Sequence, residues 1–258
     1  MAVVWDEQFR ERLTAQASLT DAARLLAETA TAMGWDRAAF QPDREATRLP
    51  RADDGQFVAE AMGWSADYVS EWLKLDLGRR CPVIQQCGRI CDAFVWESDP
   101  AGATWRGRAL LPEQCRVLDF YRDCADGAVT VPVHRPDGRT GYVSWFLRDG
   151  RALAERFRQT YRATFVISHA FIRHLDRLLL EDSRGRLADK GAGVLTAREL
   201  ECLGWAARGK TEEDIGLILG RSRETVHFHL QNAMHKLAAS NRTHAVAIAC
   251  SHGLITVL

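Results

Sequence analysis

Nowhere in the chain do eighteen apolar residues follow one another, roughly the minimum for a helix that crosses a bilayer, so no membrane span is expected. The start, Met1-Ala2-Val3-Val4-Trp5-Asp6, lacks the basic residues and apolar run of an export signal, which predicts a cytoplasmic protein. Net charge is missing as well. The 34 Lys+Arg balance 34 Asp+Glu, so attraction to nucleic acid has to come from local charge. Repeats and low-complexity tracts are absent, and 47% hydrophobic with 26% charged residues fits one large or two unequal folded domains. The G-x-S-x-G, H-E-x-x-H, Walker A and G-x-G-x-x-G patterns do not occur, and nothing points to an enzyme. Seven cysteines, an odd number without a C-x-x-C pair, predict reduced thiols and no disulfide framework.

What is present divides the chain in two. The segment 181–193 is rich in glycine and charge, has little to bury, and reads as a linker between residues 1–180 and 194–258. Before it, Leu153, Phe157, Tyr161, Phe165, Ser168, Phe171, Leu175 and Leu178 recur every three or four residues and predict a long amphipathic helix over about 151–180. The β-branched and aromatic runs 128–134 and 141–147 flank Pro136-Asp137-Gly138 and predict a β-hairpin. Pro132 has no amide hydrogen, so its strand is expected at an edge or bulge there. Helical patterns near 6–17, 19–33, 66–77 and 112–124, and weaker strands near 37–41 and 90–95, complete the first part. The expected fold class is α+β: an N-terminal α/β/α sandwich on a small antiparallel sheet, followed by a four-helix helix-turn-helix domain.

The C-terminal part is legible almost residue by residue. Thr196 and Glu199 form a capping box with a Leu195/Leu200 staple, so a helix should start at Ala197 and stop at Gly209. Thr211 caps a second helix ending at Gly220, Ser222 caps a third starting at Arg223, and a fourth runs roughly from Asn241 to His252. In the third helix Val226, Leu230, Ala233 and Leu237 make the buried stripe. Glu224, His227, Gln231 and His235 lie opposite, where polar tips can read base edges. Thr225, His229, Asn232, Lys236 and Arg242 carry groups suited to phosphate oxygens. Composition alone would also fit a plain helical bundle, because seven Lys+Arg against six Asp+Glu from Val194 onward is hardly basic.

The order Leu195-Thr196-Ala197-Arg198-Glu199, Gly209-Lys210-Thr211, Glu224-Thr225-Val226-His227-Phe228-His229, Asn232, Lys236-Leu237 and Asn241-Arg242 closely resembles the DNA-binding domain of LuxR-type transcription regulators. The resemblance implies base contacts from His227 and Gln231. It places Lys210, Thr211, Thr225, His229, Asn232, Lys236 and Arg242 near the DNA backbone or in support of the motif. It also implies a homodimer on a double-stranded operator with two-fold related half-sites. The first 180 residues do not look like a phosphoacceptor receiver domain.

Trp64-x3-Tyr68, Pro82-Val83, Trp96, Thr130-x-Pro132 and Ser144 resemble the acyl-homoserine-lactone pocket of the quorum-sensing members of that family. The resemblance implies that the Trp64 indole donates to a lactone carbonyl, that Tyr68 and Ser144 bond the acyl carbonyl, and that Trp96 packs on the lactone ring. Taken singly, the same residues would serve equally well as core. One feature departs from the family. Where its members have Asp before Pro-Val, this chain has Cys81 before Pro82-Val83, a poor acceptor for a ligand amide. Asp76 offers a second placement, and the choice between Cys81 and Asp76 stays open. Ala128 falls where a Gly is usual. A non-lactone signal, or a regulator that needs no ligand, is the alternative.

Cys81, Cys87 and Cys91 raise metal or thiol sensing, yet their spacing and the lack of a neighbouring His favour ordinary thiols. No metal and no cofactor other than a small signal molecule is expected.

Overall fold

The computed structural model describes residues 5–44, 49–52, 54–74, 76–98, 104–105, 108–135, 138–189, 195–251 and 253–255. The chain forms two compact units, Met1–His134 with Thr140–Leu179, and Leu180–Leu258 with Arg135–Arg139.

The first unit opens with α1 (Trp5–Thr14) and α2 (Leu19–Ala32), and Ser18 starts α2 by accepting from the Asp21 amide. Then come β1 (Arg37–Gln41), the single-turn helix α3 (Val58–Ala61), α4 (Ala66–Lys74), and the short helices α5 (Leu77–Arg80) and α6 (Pro82–Cys87). Next are β2 (Phe94–Glu97), the two-residue strands β3 (Thr104–Trp105) and β4 (Arg108–Ala109), α7 (Pro112–Arg122), β5 (Gly127–His134), β6 (Thr140–Leu147) and α8 (Leu153–Asp189). The helices expected at 19–33 and 112–124, strand 37–41 and the hairpin are all present, with ends that differ by a few residues. The strand expected at 90–95 lies at Phe94–Glu97, where burial alternates with Phe94 and Trp96 inward. The helices α3, α5 and α6 were not expected from periodicity, which needs more than one or two turns to show.

The four-stranded sheet has the order β1-β6-β5-β2 and every pairing is antiparallel. All eight residues of β6 are buried, which requires a layer on each face. On one face α8 packs: Trp145 Nε1 donates to Ser168 Oγ at 3.1 Å and Phe40 meets Phe171 edge-on at 4.8 Å. The other face carries Tyr142, Ser144 and Phe146 and becomes the wall of a cavity. Pro132 sits inside the β5–β6 ladder, but β2 pairs only with Gly127–Thr130, so the outer edge of β5 is open where the proline lies. At the other end β2 crosses so closely that a Cβ on Gly127 would meet the Trp96 carbonyl at 2.6 Å. Pro136 and Asp137 of the expected turn lie outside the described residues, and Gly138 adopts φ +82.

The buried face of α8 keeps Leu153, Ser168, Phe171 and Leu175 of the expected stripe and departs from it at Phe157, Tyr161, Phe165 and Leu178. Ala163, Ile167, Phe171, Ile172 and Leu175 are buried together with the hydroxyls of Thr160, Thr164 and Ser168. Those hydroxyls donate to carbonyls four residues back at 2.6–3.1 Å, which lets small polar residues enter the core beside the sheet. Along the adjacent row Phe157 meets Tyr161 edge-on and Tyr161 stacks on Phe165, and Tyr161 is 49% exposed. α8 runs on to Asp189, so the first nine residues of the expected linker are helical, and 190–194 lie outside the described residues.

The second unit holds α9 (Ala197–Ala207), α10 (Glu212–Leu219), α11 (Arg223–Lys236) and α12 (Arg242–Ser251). Thr196, Thr211 and Ser222 cap the first three, as the sequence predicts. Gly220 ends α10 at φ +63, a conformation that costs glycine little and sets the turn into α11. Cys202, Leu203, Ile215, Val226, Leu230, Ala233, Ala245 and Ala249 form its core.

Candidate ligand cavity and nucleic-acid interface

The sheet face away from α8, with α3, α4 and α7, encloses an apolar cavity of about 70 Å³. Trp64, Tyr68 and Ser144 line it. Trp64 stacks on Tyr68 at 4.6 Å and meets Phe146 edge-on at 5.3 Å, while its Nε1 donates to the Ala38 carbonyl at 2.9 Å. The indole hydrogen expected on a ligand is thus held by β1 in this structure. Tyr68 is sandwiched between Trp64 and Phe120, and its hydroxyl lies 3.6 Å from Cys124 Sγ.

Residues that pattern reading did not single out complete the wall: Val58, Trp72, Tyr121, Tyr142 and Phe146 among others. Aromatic residues of this kind carry no signal beyond their hydrophobicity, and they come from elements far apart in the chain. Burial pushes the phenols of Tyr68, Tyr121 and Tyr142 above their ordinary pKa, so all three stay neutral hydroxyls at physiological pH. No Asp or Glu is among the described lining residues.

Five expected ligand residues are not among those lining the cavity. Cys81 is 1% exposed and stands at the N-cap of α6, where burial pushes its thiol up to about 11 despite the amides of Ile84 and Val83 and the Tyr121 hydroxyl. Val83 is buried in the same helix. Asp76 is half-buried between α4 and α5 with φ +51. Ala128 is fully buried opposite Trp96 and Phe146, one in each neighbouring strand. Trp96 does not line the cavity either. Its Nε1 donates to Thr130 Oγ1 at 2.8 Å, and Thr130 Oγ1 lies 2.8 Å from Ser144 Oγ. The three groups form a buried polar chain that ends at the cavity. Cys87 is buried like Cys81, whereas Cys91 is exposed, and the described residues contain no cluster of three metal-ligating side chains.

In the second unit α10 and α11 meet across Gly220 and present α11 outward. Val226, Leu230 and Ala233 are buried, and Glu224, His227, Gln231 and His235 are exposed on the opposite side. His227 Nδ1 lies 3.0 Å from Glu212 Oε1, and its Nε2 lies 3.5 Å from Gln231 Nε2. With the Gln231 amide donating, His227 accepts at Nε2 and donates its Nδ1 hydrogen to Glu212, so the two expected base readers are held in one row. Phe228 is 61% exposed between them, an outward apolar ring that the polar pattern does not reveal.

The remaining expected contacts divide by geometry. Thr211 closes a capping box with Asp214, and Thr225 donates its amide to Ser222 Oγ, so both build the motif. Arg242 donates to the Lys210 carbonyl, tying the start of α12 to the turn before α10. Lys236 is paired inside the motif. Its ammonium is 2.9 Å from Glu199 Oε2, with side chains 24% and 4% exposed, and this pair joins α11 to the start of α9. Burial pushes the Glu199 carboxyl up, but Lys236 and the Thr196 amide outweigh it and hold the pKa below its ordinary value. Lys210 is exposed, and His229 and Asn232 are half-buried on α11.

A sensor-like unit with an apolar pocket, joined to a helix-turn-helix unit, defines a transcription regulator of the ligand-responsive class. Residues 18–175 match the autoinducer binding domain family, and residues 193–249 match the bacterial regulatory proteins of the luxR family. The transcriptional activator protein BjaR1 of Bradyrhizobium diazoefficiens is 31% identical over 212 residues, which covers 81% of each chain. The quorum sensing-dependent transcriptional regulator RpaR of Rhodopseudomonas palustris is 32% identical over 195 residues, covering 76% of this chain and 74% of that one. In fold, the crystal structure of Escherichia coli SdiA is similar over 98% of both chains, with a TM-score of 0.67 at 18% identity. The chain belongs to the LuxR-type quorum-sensing transcription regulators.

Proposed function

We propose that this regulator is a homodimer whose binding to a two-fold related operator responds to an acyl-homoserine lactone, or a closely related small signal, held in the cavity of the first unit. The observation that carries the reading is the convergence of Trp64, Tyr68 and Ser144 on one apolar cavity walled by the sheet. A few polar groups in an apolar cavity orient a small ligand, and a ligand that completes the core stabilises the folded state by mass action. The aromatic row Phe157, Tyr161 and Phe165 along α8 suits the partner subunit, because Tyr161 is exposed beside two half-buried rings and would be covered there.

On DNA, α11 enters the major groove. His227 and Gln231 read base edges beside Glu224 and His235, and Phe228 offers an apolar surface to a thymine methyl. Lys210, His229 and Asn232 face phosphates, while Thr211, Thr225, Lys236 and Arg242 support the motif. No helix among the described residues is long and apolar enough to cross a membrane. A non-lactone signal is the second reading, favoured by the lack of a carboxylate on the described cavity wall.

Native mass spectrometry tests the proposal. The protein is expressed in a host that makes no acyl-homoserine lactone and is measured with and without a panel of acyl and aryl lactones. One lactone per subunit of a dimer is the expected result, and a folded dimer that retains none would overturn the lactone reading.

A further inference from the structure

The buried chain Trp96–Thr130–Ser144 has a direction. An indole N–H only donates, so at the 2.8 Å contact with Trp96 the Thr130 oxygen accepts. Thr130 is fully buried, and its own hydrogen needs an acceptor. The one within reach among the described residues is Ser144 Oγ, at 2.8 Å. The reverse arrangement, with Ser144 donating, would leave the Thr130 hydrogen buried and unpaired. Ser144 therefore accepts from Thr130 and keeps its own hydrogen, and Ser144 stands on the cavity wall.

We infer that Thr130 and Trp96 are positioning residues that fix Ser144 as a hydrogen-bond donor to the ligand, so that the cavity selects molecules placing a strong acceptor, a carbonyl oxygen, against β6. Neither positioning residue lines the cavity, and each acts only through the hydroxyl it orients. A serine hydroxyl left to rotate would serve donor and acceptor ligands alike. The relay removes that choice before the ligand arrives, which lowers the ordering cost of binding and sharpens discrimination. The inference rests on the cavity being the lactone site proposed above.

The test uses the full chain and matched pairs of N-acyl homoserine lactones and their thioamides, with acyl chains of four, eight and twelve carbons. Replacing the amide oxygen by sulfur keeps the N–H, the planarity and the neutral charge while weakening the acceptor. Affinities are measured by titration calorimetry. The wild type is expected to prefer the oxygen member about tenfold, the loss of one good hydrogen bond. Thr130→Val breaks the relay and should bring the preference to within about threefold, whereas Thr130→Ser restores the hydroxyl and should keep it. Trp96→Phe removes the indole hydrogen, frees Thr130 to accept from Ser144, and should also erase the preference. It supplies the result if Thr130→Val does not fold.

A merely structural role would lower stability without changing the ratio between the two ligands. An oxygen preference that survives intact in Thr130→Val or Trp96→Phe would overturn the inference, as would its absence from the wild type. Binding of neither ligand at any chain length would overturn the lactone reading itself.

Discussion

Trp64 shows how much depends on one hydrogen. Its indole is committed to the Ala38 carbonyl at 2.9 Å, so donating to a ligand requires exchanging one acceptor for another. Trp64→Phe keeps an aromatic ring against Tyr68 while removing the donor and part of the indole. Lactone affinity should fall about tenfold by calorimetry, and an unchanged affinity would mean the indole stays on β1. The cysteines give a second residue-scale expectation. Cys81 and Cys87 are buried with thiols pushed up by burial, Cys81 to about 11, whereas Cys91 is exposed. Iodoacetamide at about pH 8 should therefore label Cys91 and spare the other two until the protein unfolds, as peptide mass spectrometry would show. Equal labelling in the native protein would reopen thiol sensing. Trp64, Tyr68 and Ser144 were legible because their spacing resembles a known pocket. Thr130 was visible only as part of that pattern, because its role depends on two partners, one 34 and one 14 residues away.

At the scale of elements, the helix-turn-helix unit was readable because capping is local chemistry. Thr196, Thr211, Ser222 and Gly220 each announce a boundary within three or four residues of it. Tertiary pairing is not local, and Lys236 illustrates the difference. Sequence alone leaves it between phosphate contact and support of the motif, and the fold sets it against Glu199 across α9 and α11. Lys236→Gln should destabilise the fold by about 1–3 kcal/mol in thermal unfolding, because it leaves a buried carboxylate short of a partner. The salt dependence of operator binding should barely change. Lys210→Gln should do the opposite and lower the slope of log K against log salt by about one. A Lys236→Gln variant with wild-type stability and a reduced slope would restore the phosphate role. Because the Glu199 pKa is lowered by folding, its stabilisation is full above the unfolded value of about 4.3 and is lost as pH falls through the folded value. The Lys236→Gln deficit should accordingly shrink on acidification. For α8, periodicity gave the helix and the buried Ser168, Phe171 and Leu175, but not Thr160 and Thr164, which enter the core by bonding their own backbone.

At the scale of the whole molecule, sensing and DNA binding would meet in the proposed dimer. Tyr161→Asp puts a charge into the aromatic row of α8 and should shift sedimentation from dimer toward monomer, with the folded far-UV signal retained. A dimer unaffected by that change would move the subunit contact elsewhere. The central claim is that a molecule bound near Trp64, Tyr68 and Ser144 changes how the protein holds DNA. The most direct measurement is fluorescence anisotropy on an operator obtained by in vitro selection, titrated with and without each lactone of the panel, for wild type and Trp64→Ala. At least a tenfold change in operator affinity with ligand in the wild type, absent from Trp64→Ala, is the expected result. Operator affinity indifferent to every lactone, or a response that persists in Trp64→Ala, would contradict it.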